Sequence, residues 1–266
     1  MRRTLFTLGT LAIPSFSALV GLGVLLAFLV TIRLSRSKNL DRVELTSYYI
    51  FLALACWLGA KLFPLLTRIF LDPRQFFAGR IDLKTFLLKG ATSVIGGIAA
   101  AILFSAVYLK RIRFPFWLTM DLVAAGVPLG QAVGRIGCFL GGCCYGRPTD
   151  FFWGVTFPGL PGPVHPTQLY ESALNLGNFF ILLALRKKQT FDGQIFAAYV
   201  MNYSLIRFFV EFWREDSRRV ALFPGSWPWA SLSLPQAISL IGLLAGLFMW
   251  QRRRRKTQEL EKRRKS

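Results

Sequence analysis

Long apolar segments recur along the chain, and the intervals between them hold most of the charged residues. Each segment is close to the roughly 20 residues that an α-helix needs to cross a bilayer. A long loop is expected over 67–89, after a second segment that Lys61 and Pro64 interrupt. The pattern predicts seven spans, at residues 15–32, 45–66, 91–109, 116–133, 167–185, 194–212 and 234–250.

Composition supports this reading. The 266 residues are 53% hydrophobic and 17% charged, against about 25% charged residues in soluble domains. We therefore expect an all-α integral membrane protein, with one membrane domain over 1–251 and a basic cytoplasmic tail over 252–266. The net charge of +20 would also suit a protein that binds nucleic acid. Because the charges cluster between apolar segments and at the C-terminus, anionic membrane lipid is the expected partner, and nucleic acid is not.

The distribution of Lys and Arg predicts the orientation in the membrane. Nineteen of these residues fall on the side that includes the C-terminus and thirteen on the other. The positive-inside rule then places the N-terminus outside and the C-terminus in the cytoplasm. We see no cleavage site after the first segment, so we expect that segment to remain as a helix.

One polar stretch, residues 134–171, separates the fourth and fifth spans and is expected to lie toward the outer face. It contains three of the four cysteines, the only histidine, His165, and the arginines Arg135 and Arg147. Irregular polar backbone within a membrane is tolerated where protein or a water-filled cavity surrounds it. An ionisable residue in such a place indicates a functional site.

Two arginines have the surroundings of a cavity wall rather than of a basic loop. Arg135 is expected in glycine-rich backbone after the fourth span, and Arg207 lies within the sixth. A guanidinium suits bidentate contact with phosphate. Tyr203, Arg207 and Glu211 recur every four residues and therefore share one helix face. We expect Glu211 to balance one of the two arginines and a lipid phosphate the other. The alternatives are an arginine that snorkels to the interface and a purely structural Arg207–Glu211 pair.

The cysteines and the histidine are candidates for metal binding, disulfide formation or proton transfer. Cys138, Cys143 and Cys144 have a C-x4-C-C spacing, which differs from the paired spacings typical of zinc sites. We expect them to pack as small apolar groups, with a disulfide as the alternative, and we predict no metal. His165 precedes a helix start that Thr167 can cap. If a reaction here uses a histidine, that residue must be His165, since the chain has no other histidine.

The chain resembles the prolipoprotein diacylglyceryl transferase family. The resemblance rests on the run 134–147, the Gly-Arg-Pro-Thr at 146–149, the pieces Trp153-Gly154-Val155 and Phe157-Pro158, and the segment 165–171. The Arg207-x3-Glu211 helix and the seven-span layout agree with it. The resemblance implies a bundle of about seven helices around a central lipid-binding cavity.

The resemblance also implies an activity. Such enzymes transfer the diacylglyceryl group of phosphatidylglycerol to the lipobox cysteine of a preprolipoprotein, without metal or cofactor. It implies that Arg135 and Arg207 hold the lipid phosphate, with Tyr203, Glu211 and His165 as further catalytic candidates. The implied substrate-binding residues are Arg135, Gly137, Cys138, Gly142, Gly146, Arg147, Gly96, Gly97, Gln168, Tyr170 and Glu171.

The chain departs from the family pattern at several positions. The family histidine before the Gly-Gly of the third span is Ile95 here, and Cys138 and Cys143 replace a signature asparagine and acid. By a loose alignment, Ser17 replaces a tyrosine. His165 and Glu211 are then the remaining candidates for a base. The alternative function is a non-catalytic relative that binds anionic lipid or lipoprotein precursors.

Overall fold

A computed structural model describes residues 4–8, 11–36, 40–71, 93–214 and 232–265. An antiparallel hairpin of β1 (Thr4–Leu8) and β2 (Leu11–Pro14) precedes the helices. Over the described residues the predicted seven helices are confirmed: α1 (Ser15–Ser35), α2 (Arg42–Leu71), α3 (Val94–Arg111), α4 (Phe116–Gly141), α5 (Thr167–Lys187), α6 (Gln194–Val210) and α7 (Leu234–Lys265). A 3₁₀ turn, Glu211–Trp213, continues α6.

The helices fall into two compact units, described separately below. The first comprises Met1–Leu34 with Met120–Ser266, and the second comprises Ser35–Thr119. The core of the first unit lies between α4, α5 and α6, where fully buried Ala125, Leu182 and Ile195 pack with Ala198. The last helix, α7, runs without a break from the apolar segment into the basic tail.

Six of the described helices are long and apolar enough to cross a membrane. They are α1, α2, α3, α4, α7 and the segment Gln194–Trp213, which joins α6 to its 3₁₀ turn. The remaining helix, α5, buries polar side chains on one face: Gln168, Glu171, Asn175 and Asn178. Buried polar groups need hydrogen-bond or ion-pair partners. We therefore expect polar contacts of the first unit along this face of α5.

The fourth helix is longer than the sequence predicted. It continues past residue 133 to Gly141, so Arg135 lies on a regular helix and the expectation of irregular backbone there is wrong. Glycines allow α4 to approach α1 closely: a Cβ on Gly126 would lie 2.5 Å from Ala27 O, and one on Gly130 would lie 2.8 Å from Gly23 O. Such contacts between small residues stabilise membrane helices and outweigh the low helix propensity of glycine.

The second unit pairs α2 with α3. Helix α2 passes through Pro64 and ends at Leu71, so the loop expected from residue 67 begins later; residues 72–92 lie outside the described part. A Cβ on Gly97 would lie 3.2 Å from Cys56 O, and one on Gly96 would collide with Phe63 and Gly59. These two glycines therefore allow α2 and α3 to pack closely.

Candidate active site

A buried carboxylate on α5 joins arginines from three segments. Glu171 is 1% exposed, and its Oε2 lies 2.5 Å from Arg135 Nε on α4. Its Oε1 lies 3.4 Å from Arg207 Nη1 on α6 and 3.3 Å from Arg214 Nη1 after the 3₁₀ turn. Since a buried charge is tolerated only when it is paired, Glu171 organises this end of the first unit.

Glu211 provides the second carboxylate. Its Oε2 lies 2.8 Å from Arg207 Nη2, one helical turn earlier, and Ser233 Oγ donates to its Oε1 at 3.4 Å. Glu211 therefore balances Arg207, as expected. The expectation that Arg135 has no protein carboxylate is wrong, because Glu171 takes that role.

Backbone pairing fixes Arg214. Its φ and ψ are extended, and it forms an antiparallel bridge with Gly146. Arg147 N donates to Trp213 O at 2.9 Å, and Gly146 N donates to His165 O at 2.8 Å. A Cβ on Gly146 would collide with Trp213 O and lie 2.7 Å from Thr167 Cγ2. Only glycine fits where these three segments meet.

The ion cluster of Arg135, Glu171, Arg207, Glu211 and Arg214 has unequal charges. Among the described residues, three guanidiniums face two carboxylates, which leaves one positive charge in excess within that part of the chain. The side chains of the three arginines are 17–22% exposed, whereas the side chains of both glutamates are 2% exposed. The cluster can therefore accept one monoanionic group from its open side, and a phosphate diester suits guanidinium donors.

The single histidine lies next to this cluster in sequence but has its own partners. His165 is buried, its Nδ1 lies 3.1 Å from Tyr170 Oη, and its ring packs against Phe151. Burial, together with the positive charge of Arg147, lowers the pKa of His165. The imidazole is therefore neutral near pH 7, the form in which it can accept a proton.

Three cysteines form a second polar cluster. The Sγ atoms of Cys138, Cys143 and Cys144 all lie within 4.8 Å of one another, and all three are free thiols. Hydrogen bonds from the thiols of Cys138 and Cys143, with the charges of Arg214 and Arg135, lower the pKa of Cys144. Spacing along the sequence gave no sign of this convergence.

The first turn of α5 holds the cysteine segment in place. Thr167 Oγ1 donates to Cys144 O at 2.9 Å, and Gln168 Nε2 donates to Cys143 O at 2.6 Å. Thr167, expected to cap α5, thus bonds a neighbouring segment instead. Gln168, predicted to bind substrate, contacts this backbone.

The other predicted site residues take varied places. Tyr203 stacks on Tyr199 with ring centroids 5.9 Å apart, and its hydroxyl lies within electrostatic reach of Arg135. Arg147 Nη2 donates to Phe212 O. Gly142 has a φ of +71°, and a Cβ on Gly137 would lie 3.1 Å from Leu19 Cβ on α1. Gly96 and Gly97 belong to the second unit.

Two residues of the site were missed from the sequence. Arg214 is absent from the predicted site residues, so the expectation that Arg135 and Arg207 are the two site arginines is wrong. Helix periodicity gave no signal for it, because Arg214 lies in extended backbone after the 3₁₀ turn and bridges to Gly146. Ser233, the partner of Glu211, lies 22 residues away in sequence and gave no local signal.

The fold and the ion cluster define a polytopic membrane protein with a cluster of buried ion pairs among its helices. The family model described as prolipoprotein diacylglyceryl transferase matches residues 3–252. The chain belongs to this family, which confirms the resemblance seen in the sequence.

Three similar curated proteins carry the name phosphatidylglycerol–prolipoprotein diacylglyceryl transferase. The protein of Clostridium tetani is 33% identical over 258 residues, which cover 94% of this chain and 97% of the relative. That of Finegoldia magna is 29% identical over 253 residues, 94% of both chains. That of Bordetella avium is 33% identical over 253 residues, 91% of both chains. The similarity therefore extends over nearly the whole molecule.

Proposed function

We propose that this protein transfers the diacylglyceryl group of phosphatidylglycerol to the lipobox cysteine of a bacterial preprolipoprotein. The sulfur attacks the glycerol carbon that bears the phosphate ester. A C–S bond forms, the C–O bond breaks, and the electron pair leaves on the phosphate oxygen. The products are a thioether-linked lipid and glycerol phosphate, and the thiol proton passes to a base or to water.

The excess positive charge of the ion cluster is the observation that carries this proposal. Phosphatidylglycerol has one negative charge, on the phosphate that departs. Arg135, Arg207 and Arg214 approach one buried carboxylate from three segments, so their guanidiniums are held before the lipid binds. Such preorganised donors stabilise developing charge most strongly where water is excluded.

Each ionisable side chain then has a distinct role. The three arginines bind the phosphate and stabilise the leaving group, and Glu171 holds their guanidiniums in position. His165 and Glu211 are the candidate bases for the thiol proton. His165 is the stronger candidate, because its imidazole is neutral near pH 7 and has a nitrogen free to accept a proton, whereas Glu211 is paired with Arg207.

The proposal includes a location and an orientation. Phosphatidylglycerol and signal peptides meet in the bacterial inner membrane, and the excess of Lys and Arg around the C-terminus favours a cytoplasmic tail. A reporter fused after Lys265 should behave as cytoplasmic, and one fused before Met1 as periplasmic. A periplasmic signal from the C-terminal fusion would overturn this orientation.

The test of the function is replacement of a host enzyme. The gene should restore growth to a bacterium depleted of its own diacylglyceryl transferase. The purified protein should convert a lipobox peptide to its diacylglyceryl form in phosphatidylglycerol micelles. Binding of both substrates with no transfer in either assay would show the alternative, a non-catalytic relative that binds anionic lipid or lipoprotein precursors.

A further inference from the structure

We propose that Cys138, Cys143 and Cys144 bind one Zn²⁺ ion through three thiolates, and that its fourth coordination position takes the substrate thiol. The proposal rests on the function proposed above, because that reaction requires a thiolate nucleophile. It replaces the expectation, drawn from their spacing, that these cysteines only pack and bind no metal. It also departs from the metal-free reaction that the family resemblance implies, on the ground of three thiols that converge in this chain.

The geometry of the three thiols carries the first step. Zinc–thiolate bonds are about 2.3 Å long, so sulfurs on one ion lie about 3.8 Å apart in a tetrahedron and about 4.0 Å apart in a trigonal plane. The three Sγ atoms already lie within 4.8 Å of one another. Closure on an ion therefore requires small rotations of side chains and no rearrangement of the backbone.

The backbone around the thiols is held by contacts that do not involve them. Cys143 N donates to Cys138 O at 3.1 Å, and Thr167 and Gln168 bond the carbonyls of Cys144 and Cys143. Cys144 has a φ of +64°, a left-handed conformation that non-glycine residues seldom adopt. Such conformations concentrate at functional sites, where the surroundings hold them in place.

The donor set leaves one coordination position open. Among the described residues, the group of converging Cys, His, Asp and Glu ligands contains only these three cysteines. Three protein ligands and a vacant fourth position are typical of catalytic zinc, whereas structural zinc has four. Cys143 and Cys144 are exposed, so a peptide thiol can reach the ion.

The charges and the position of the thiols fit the reaction. Three thiolates and Zn²⁺ carry one net negative charge, which favours a position close to a guanidinium. Cys138 follows Arg135 by three residues on α4, so both lie on one face of that helix. The nucleophile would then be generated beside the arginines that hold the leaving phosphate.

The chemical step balances without another reagent. The substrate thiol displaces water from the ion and loses its proton to solvent, because a thiol bound to zinc is deprotonated. Its sulfur then attacks the glycerol carbon and the phosphate leaves with the bonding pair. The ion neither gains nor loses electrons.

Metal content is the first measurement. The full-length protein, purified in detergent with a phosphine reductant, should contain about one zinc per chain, as expected for a single three-thiolate site. Cys138→Ser, Cys143→Ser and Cys144→Ser should each lower zinc affinity by about tenfold or more. Cys56→Ser is the matched control, since Cys56 is a free, exposed cysteine of α2, and it should keep its zinc.

Cobalt substitution tests the open position without an activity assay. Co²⁺ bound to wild type should show thiolate-to-metal charge-transfer absorption. Addition of a lipobox peptide with cysteine should change the spectrum, and the same peptide with serine should not. If the spectrum is unchanged when the cysteine peptide is added, the proposal is overturned even if metal is bound.

Three further outcomes separate this proposal from the proposed function. Absence of stoichiometric zinc, or a disulfide among the three cysteines in the reduced preparation, would overturn the zinc site. Full transfer by metal-free wild type would also overturn it and would leave the proposed function standing. A zinc-loaded protein whose cobalt form responds to the peptide, but which transfers no lipid, would instead contradict the proposed function.

Discussion

The first unit contains two buried carboxylates with opposite surroundings. Asp121 on α4 is fully buried and accepts hydrogen bonds only from neutral donors among the described residues. Gln189 Nε2 and Gly193 N donate to its Oδ2 at 2.6 and 2.7 Å, and Phe196 N donates to its Oδ1 at 2.8 Å. Glu171 on α5 is equally buried, but its ion-pair partners are guanidiniums.

The difference separates a structural carboxylate from one that prepares a binding site. Asp121 caps the N-terminus of α6 from another helix, where backbone N–H groups and the helix dipole favour an anion. Its oxygens are satisfied and nothing remains for a ligand. Glu171 instead gathers more positive charge than it neutralises, so the cluster around it retains the capacity to bind an anion.

The largest effect should follow removal of a phosphate ligand. Arg207→Ala deletes the arginine shared by Glu171 and Glu211 and leaves both carboxylates poorly paired. We expect a loss of about 10³-fold in transfer rate, the upper range for one lost oxyanion donor. Arg135→Lys keeps the charge and loses the planar fork, so we expect it to be damaging, by at least about tenfold. The measurement is diacylglyceryl transfer to a lipobox peptide, with protein fold checked by thermal unfolding.

The matched control is an arginine outside the ion cluster. Arg254 is exposed on α7, and Arg254→Ala should transfer at the wild-type rate. The sequence also predicts that Arg218→Ala, in the loop after the sixth span, is near neutral; Arg218 lies outside the described residues. Wild-type turnover by both Arg207→Ala and Arg135→Lys would mean that these arginines are structural.

The comparison of the two carboxylates gives the next prediction. Glu171→Gln keeps the shape and removes the charge that positions three guanidiniums, so transfer should fall by about 10²-fold. Asp121→Asn places a donor against the backbone N–H groups of α6. It should cost about 1–3 kcal/mol of stability, with turnover per folded molecule within about twofold of wild type.

The two variants are to be measured for both rate and melting temperature. The expected pattern is a rate effect at Glu171 that exceeds any stability effect, and the reverse at Asp121. Equal losses of rate in the two variants, with equal melting temperatures, would show that the distinction between the carboxylates is wrong.

A smaller effect should follow a change that touches no charge. Gly146→Ala introduces a Cβ against Trp213 O, Thr167 and His165, which forces the segment that carries Arg214 away from Glu171. We expect destabilisation of about 1–3 kcal/mol and a rate loss smaller than that of Glu171→Gln. Gly162→Ala is the control, since a Cβ there would meet open space and should leave stability and rate unchanged. If the Gly146→Ala protein has the melting temperature and turnover of wild type, the backbone around Gly146 can shift at little cost, and its close packing does not hold Arg214 in place.

Periodicity was enough to predict the helices, because spans of this length and hydropathy have few alternatives in a membrane. The predicted end of α4 was wrong. The glycines that look like loop residues in the sequence lie on the helix, where several of them contact α1. Helix propensity is a local property, and contact between helices overrides it here.

The site was predicted in part, for a related reason. Arg207 and Glu211 are four residues apart, so helix geometry alone pairs them. The pairing of Arg135 with Glu171 joins two segments, which no local pattern encodes, and the arrangement of α4 against α5 brings them together. The three cysteines converge because the chain turns at the end of α4, where Cys143 N donates to Cys138 O, and their spacing alone does not reveal that turn.

The smallest effect concerns His165 and pH. Burial and the charge of Arg147 lower the pKa of His165 in the folded protein below the value of about 6.5 in an unfolded chain. The unfolded state therefore binds a proton more readily, so this contribution to stability is present above about pH 6.5 and is lost as the pH falls toward the folded pKa. His165→Gln retains an acceptor for Tyr170 and removes the titration. The wild type should thus lose more melting temperature than His165→Gln between neutral and mildly acidic pH, and parallel curves would show that His165 does not titrate in this range.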